Sequence, residues 1–112
     1  MRDIKGYEGR YAVTADGLVW SYLAQKFLKG YVNSKGYLRV RLSSKEGTEQ
    51  VFVHRLVAEA YHPIPVTNPD GTKLLGRPVV NHIDGNRQNN SAENLEWCDQ
   101  SYNMSYAYWV GK

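Results

Sequence analysis

The hydrophobic period of this chain changes once, near its middle, and that change sets what the chain can build. Ahead of residue 53 the chain reads as short β-rich runs, the clearest of them alternating apolar and polar residues. In "YLRVRL", Leu38, Val40 and Leu42 fall on one side and Tyr37, Arg39 and Arg41 on the other, the pattern of a strand with one covered face. From His54 the spacing becomes helical. Leu56, Val57, Ala60 and Tyr61 form one stripe of "VHRLVAEAYH", and Pro63 and Pro65 end it. An α+β fold follows, with small antiparallel β-hairpins leading into a short helix.

Turn residues divide the strand-rich half. "RYAV" and "LVWSY" flank Asp16-Gly17, and "KGYV" and "YLRVRL" flank Ser34-Lys35-Gly36. "SSKEGT" reads as a loop, after which "EQVFVH" pairs back as a strand. Beyond the helix, "PIPVTNPDGTKLLGRP" gathers all four prolines and reads as a long connection with a small hairpin at Asp70-Gly71. The remainder is too short for a secure core of its own. Residues 1–112 are therefore read as one domain, with a β-rich basic segment over 1–53 and helix, loop and a final motif over 54–112.

That motif runs strand, polar loop, strand, helix: "PVVNH", "IDGNRQNNSAEN", "LEWC" and "DQSYNMSYAYWV". Leu95 and Trp97 share the inward face of the second strand, and Asp99 caps the helix. Five of the eight asparagines crowd residues 79–97, around a single histidine, His82. Asparagine bonds backbone groups and tolerates unusual dihedrals, so such a loop can hold itself together. Asn89, Asn90 and Asn94 are read as its braces, with Asp84 and Asn86 as turn residues.

Charge is uneven. Residues 1–60 carry ten Lys/Arg against six Asp/Glu, whereas residues 61–112 carry four against five. Lys26, Lys29, Lys35, Arg39 and Arg41 follow one another without an acid, interleaved with Phe27, Tyr31 and Tyr37. That is either a solvated face or the electrostatic footprint of nucleic acid. No run of about 18 apolar residues is present and the N-terminus is polar, so neither a membrane span nor a signal peptide is expected, and a cytoplasmic location is. The lone Cys98 excludes an internal disulfide and reads as a small buried hydrophobe.

"VNHIDGNRQNNSAENLEW", followed by Asn103, resembles the HNH endonucleases of the phage and intron-homing type. The upstream "GYEGRYAVTADGLVWS", "GYLRVRL" and "VHRLVAEAYHP" resemble the modular segment that accompanies those nucleases. Together the resemblances span residues 4–107. They imply a ββα-metal motif in which two strands and a helix hold one divalent cation, Mg²⁺ or Mn²⁺ in preference to Zn²⁺, against a DNA phosphate. By resemblance, His82 matches the general base, Asn94 the central loop-bracing asparagine, and Asn81 and Asn103 the metal ligands, Asn103 also standing at the last position of the catalytic motif. Asn81 is neutral where many relatives carry Asp. The resemblance further implies 5′-phosphate and 3′-hydroxyl products.

The chemistry of those residue types agrees with these roles. A neutral imidazole takes a proton near neutral pH, and a hard cation prefers oxygen ligands. Asn81 and His82 are neighbours on a strand and point to opposite faces unless the strand ends there. His54 is open between a structural histidine and an additional site residue. Arg87 is open between a phosphate contact and a solvated loop arginine, and His62 reads as structural at a helix end. A zinc site built from His54, His62 and His82 matches no common spacing. The expectation is a metal-dependent endonuclease acting on double-stranded DNA as a monomer or weak homodimer and nicking one strand. Lys26, Lys29, Lys35, Arg39, Arg41 and Arg87 would meet the DNA. The alternative is a catalytically inactive module that keeps the fold and binds DNA. Many relatives carry a separate helix-turn-helix beyond this region, so low sequence specificity is expected of a chain ending at Lys112.

Overall fold

A computed structural model describes residues 1–104. The strand-rich half forms two small antiparallel sheets. The first contains β1 (Arg2–Asp3), β2 (Tyr11–Val13), β3 (Val19–Ser21) and β4 (Lys26–Phe27), in that spatial order. The second contains β5 (Tyr31–Val32), β6 (Leu38–Ser44) and β7 (Gly47–Phe52). The α-helix α1 follows at once over Val53–Tyr61. A two-stranded ladder closes the motif: β8 (Val79–His82) pairs with β9 (Leu95–Cys98), placing His82 opposite Leu95 and Asn81 opposite Glu96. The fold is α+β.

The alternation in β6 is observed as expected: Val40 and Leu42 are buried, and Arg41 is exposed. The loop after it is shorter than "SSKEGT" suggests. Ladder pairing continues to Ser44 opposite Gly47, which leaves Lys45 and Glu46 as the turn. Gly47, at φ 126°, provides the backbone conformation that closes so tight a connection. His54 accordingly lies in α1 and not at the end of a strand.

One apolar cluster joins both N-terminal sheets, the helix and the final ladder. Ile4, Val13 and Val19 from the first sheet meet Val40 and Leu42 from the second, Val53, Leu56 and Val57 from α1, and Val80, Leu95 and Trp97 from the final ladder. Each such side chain contributes about 1.5–3 kcal/mol when fully buried, and α1 sits at the centre because its stripe faces every sheet. Tyr61 at its end donates its hydroxyl to Val13 O at 3.1 Å. His62 holds Ala92 O through Nε2 at 2.6 Å, while its own carbonyl accepts from Trp97 Nε1 at 3.0 Å.

The proline-rich connection is tied down at one point. Asn68 is buried, donates Nδ2 to Asp99 Oδ2 at 3.0 Å and accepts from Asp99 N at 2.8 Å. Asp99 also accepts from Leu75 N and from Tyr102 N, so it caps the final helix as expected, and residues 100–104 are helical. The remaining residues of the expected helix, 105–110, lie outside the described residues. Among the described residues, no helix is long and apolar enough to cross a membrane.

Candidate active site

His82 is the last residue of β8, and its environment is built by three separate segments. Its Nε2 lies 2.9 Å from Asn90 Oδ1. Its ring stands 5.0 Å from the His54 ring on α1 and 6.1 Å from the Tyr37 ring, centroid to centroid. His54 in turn packs against Tyr37 at 5.2 Å and Phe52 at 5.3 Å. Two histidines therefore share an aromatic wall at the meeting point of the second sheet, the helix and the final ladder.

That setting keeps both imidazoles neutral. Burial lowers the pKa of His82, outweighing the Asn90 bond and the charge of Asp84, which pull it up; Arg87 adds to the lowering. For His54, burial acts first, followed by repulsion from His82 and Arg55, and the value falls to about 4. A neutral imidazole has a lone pair to accept a proton, which is the state a base needs. His54 Nδ1 is buried without a hydrogen-bond partner.

The loop behind His82 is held by asparagines, but they divide the work differently from the expectation. Asn94 accepts from Asp84 N at 3.0 Å through Oδ1 and donates Nδ2 to Asp84 Oδ1 and to Asn89 O, both at 2.9 Å. Asn89 Nδ2 donates to Asp84 Oδ2 at 2.9 Å, and Asn86 N donates to Asp84 Oδ1 at 2.8 Å. Asp84 is thus the acidic hub of the turn, and these bonds hold its carboxyl below the ordinary range, led by the one from Asn89. Asn94 and Asn89 brace the loop, whereas Asn90 turns its side chain to His82.

Asn81 and His82 do point to opposite faces. Val80, His82, Leu95 and Trp97 belong to the face that packs on α1, while Asn81 pairs on the other with Glu96, donating Nδ2 to Glu96 Oε1 at 2.9 Å. Glu96 went unnoticed in the sequence as a functional candidate. The signal was present: if Leu95 and Trp97 face inward, Glu96 shares the face of Asn81. Asn103 lies in the capped helix, where its N–H donates to Asp99 O at 3.0 Å. Among the described residues, no hydrogen bond joins Asn81, His82 and Asn103 to one another.

The donor chemistry on the Asn81 face fits a hard divalent cation. With Nδ2 engaged by Glu96, the Asn81 amide oxygen is the atom left for a ligand, and the neighbouring carboxylate supplies the negative charge that Asn81 lacks. The three-histidine alternative is not formed. His62 is engaged with Ala92, and among the described residues no three His, Cys, Asp or Glu side chains group to hold a metal.

The cations expected to meet DNA separate into two sets. Lys26, Lys29, Lys35 and Arg41 are exposed; Lys26, Lys29 and Arg41 line a groove of about 540 Å³ with Phe27 and Tyr31. Arg39 and Arg87 are instead mounted on rings. The guanidinium of Arg39 lies 5.7 Å from the Tyr31 ring and 5.6 Å from the Phe52 ring. That of Arg87 lies 4.9 Å from Tyr37 and donates to Lys35 O at 2.6 Å. Tyr37 thereby connects Arg87 to the wall around His82. Cys98 is fully buried, which drives its thiol up to about 12 and leaves it chemically inert.

Comparison with known proteins places this geometry. Residues 51–105 match the HNH endonuclease family, and residues 2–43 match the NUMOD4 motif. This chain belongs to the HNH endonucleases. It is 41% identical over 108 residues to the DNA endonuclease I-HmuI of Bacillus phage SP01, covering 92% of this chain and 54% of that protein. An uncharacterized HNH endonuclease of Acanthamoeba polyphaga mimivirus is 44% identical over 94 residues, covering 84% of this chain and 26% of the relative. A solved structure describing DNA binding and cleavage by I-HmuI superposes with a TM-score of 0.83 at 35% identity, over 98% of this chain and 58% of that one. The chain thus spans about half the length of I-HmuI and about a quarter of the mimivirus protein. HNH endonucleases generally use a divalent metal ion, in keeping with the oxygen donors found here. The alternative of an inactive module is not favoured by this membership.

Proposed function

We propose that this chain is a metal-dependent endonuclease that hydrolyses a phosphodiester bond of double-stranded DNA and nicks one strand, with His82 as general base. The observation that carries the reading is the placement of His82. It ends a strand inside the HNH match, is buried, and has one ring nitrogen 2.9 Å from Asn90 Oδ1. The other nitrogen takes the proton of the attacking water, and the low dielectric of the aromatic wall favours the neutral form beforehand.

Asn81 and Asn103 would hold the cation, Mg²⁺ or Mn²⁺, beside Glu96; because Asn81 and His82 face opposite sides of the ladder, cation and base would meet one phosphate at the rim where β8 ends at His82. When bound, the cation would neutralise charge developing on the phosphate and leaving oxygen. Asn94 keeps the loop in register so that Asn90 and His82 stay fixed. Arg87, oriented by Tyr37 and the Lys35 carbonyl, contacts a phosphate next to the scissile one, and Arg39 contacts another. Lys26, Lys29, Lys35 and Arg41 supply the sequence-independent attraction that brings DNA to this face. His54 supports the ring of His82 and is not a ligand in this reading. The shared apolar cluster supports treating residues 1–112 as one folding unit, and one site per monomer or weakly associated dimer is consistent with nicking.

The test is conversion of supercoiled plasmid with Mg²⁺ or Mn²⁺, wild type beside His82→Ala, with a chelator control. Metal-dependent nicked circles that disappear in the variant are expected. Salt-sensitive binding without conversion by either metal would overturn the catalytic reading.

A further inference from the structure

Asn90 is a polar side chain that the loop does not need for its own bracing. It is 4% exposed, its Oδ1 faces His82 Nε2 at 2.9 Å, and its Nδ2 is buried without a partner. Leaving an amide donor buried and unpaired is costly. An apolar residue of similar shape would avoid that cost and still fill the space.

The chain also fixes Asn90 from two sides. On one side, Asn94 Nδ2 holds the carbonyl of Asn89 at 2.9 Å. On the other, the turn between β2 and β3 docks directly: Ala92 N donates to Ala15 O at 2.7 Å, and a Cβ at Gly17 would sit 2.9 Å from Asn90 Cβ and 3.0 Å from its carbonyl oxygen. Only a glycine at 17, at φ 92°, lets the Asn90 backbone come this close.

We propose that Asn90 is a positioning residue for the reaction: its side-chain oxygen accepts from His82 Nε2–H, fixing the tautomer and ring orientation that leave Nδ1 as the atom that activates water. The first sheet is part of this device, because its turn sets where Asn90 stands. The inference rests on His82 being the base. The physical logic is general: the partner of one imidazole nitrogen decides which tautomer the other presents.

Long-range ¹H–¹⁵N spectra of ¹⁵N-histidine-labelled protein at pH about 8 read the tautomer without any cleavage, with His82→Ala identifying the resonance. Wild type is expected to show the Nε2–H form at His82. Asn90→Leu, which removes the acceptor, is expected to give a tautomer mixture and a single-turnover nicking rate at least about tenfold lower, with DNA affinity within about twofold. Asn90→Asp keeps an acceptor and is expected to retain the Nε2–H form and most of the rate. An Nδ1–H tautomer in wild type overturns the proposal, even if Asn90→Leu fails to fold. So does a folded Asn90→Leu with unchanged tautomer and rate. Cleavage that survives in His82→Ala would instead refute the general-base reading and leave the tautomer result standing.

Discussion

Replacing Asn94 by alanine tests how the loop behind His82 is held. The side chain makes three hydrogen bonds at 2.9–3.0 Å and is 8% exposed. Each such bond contributes about 0.5–1.5 kcal/mol net. Two of them go to Asp84, which is exposed, so water can partly replace them and they count at the low end. The bond to Asn89 O is less replaceable. A loss of about 2–3 kcal/mol follows, which for a domain of this size lowers Tm by about 10–20 °C. Urea denaturation should show a lower midpoint with an unchanged slope. Asn94→Asp sharpens the test. It keeps the acceptor for Asp84 N but loses both donors and sets a carboxylate against the Asp84 carboxylate, so at neutral pH it should be at least as unstable as Asn94→Ala. Towards pH 4 protonation should relieve the repulsion and narrow the gap between the variants. A loss below about 0.5 kcal/mol in Asn94→Ala, or a gap indifferent to pH, would refute this account of the loop.

Three further outcomes follow from the same contacts. His54 titrates near 6.5 when unfolded and at about 4 when folded, so the unfolded chain binds the extra proton between those values; stability should hold above pH about 7, fall by up to about 3 kcal/mol on acidification to pH 4, and level off below that, with His54→Gln giving a shallower fall in stepped-pH denaturation. Gly17→Ala should cost about 1–3 kcal/mol in a thermal melt, because its φ of 92° and the 2.9 Å approach to Asn90 leave no relaxed solution. Arg87→Ala should weaken DNA binding across sequences and reduce the salt slope by about 1, and Arg87→Lys should recover the charge but not the full affinity, because it loses the planar stack on Tyr37.

What the sequence disclosed was mostly local. The alternation of Leu38, Val40 and Leu42, the Asp16-Gly17 turn and the stripe of Leu56, Val57 and Tyr61 each lie within a few residues, and all appear as expected. The Asp99 cap was legible for the same reason. Its second role, clasping Asn68 from 31 residues away, was not. Glu96 beside Asn81 and Asn90 beside His82 depend on which strands pair and how the loop closes, and composition does not encode that. Arg39 shows the limit of charge reading: a cation on an open strand face was expected, whereas its guanidinium rests on Tyr31 and Phe52 because β5 and β7 flank β6.

The docking of two N-terminal turns on the motif loop has a consequence for recombining such proteins. The turn over 14–18 touches Asn90 and Ala92, and the turn over 33–37 offers the Lys35 carbonyl to Arg87. A chimaera joined between residues 43 and 51 would respect the two matched segments and still cut through the support of the loop behind His82. A donor segment could be exchanged without harm only if it brought a glycine to position 17 and a carbonyl within reach of Arg87. What looks like an interchangeable cassette in the sequence is, in three dimensions, half of the mould in which the asparagine-rich loop is cast.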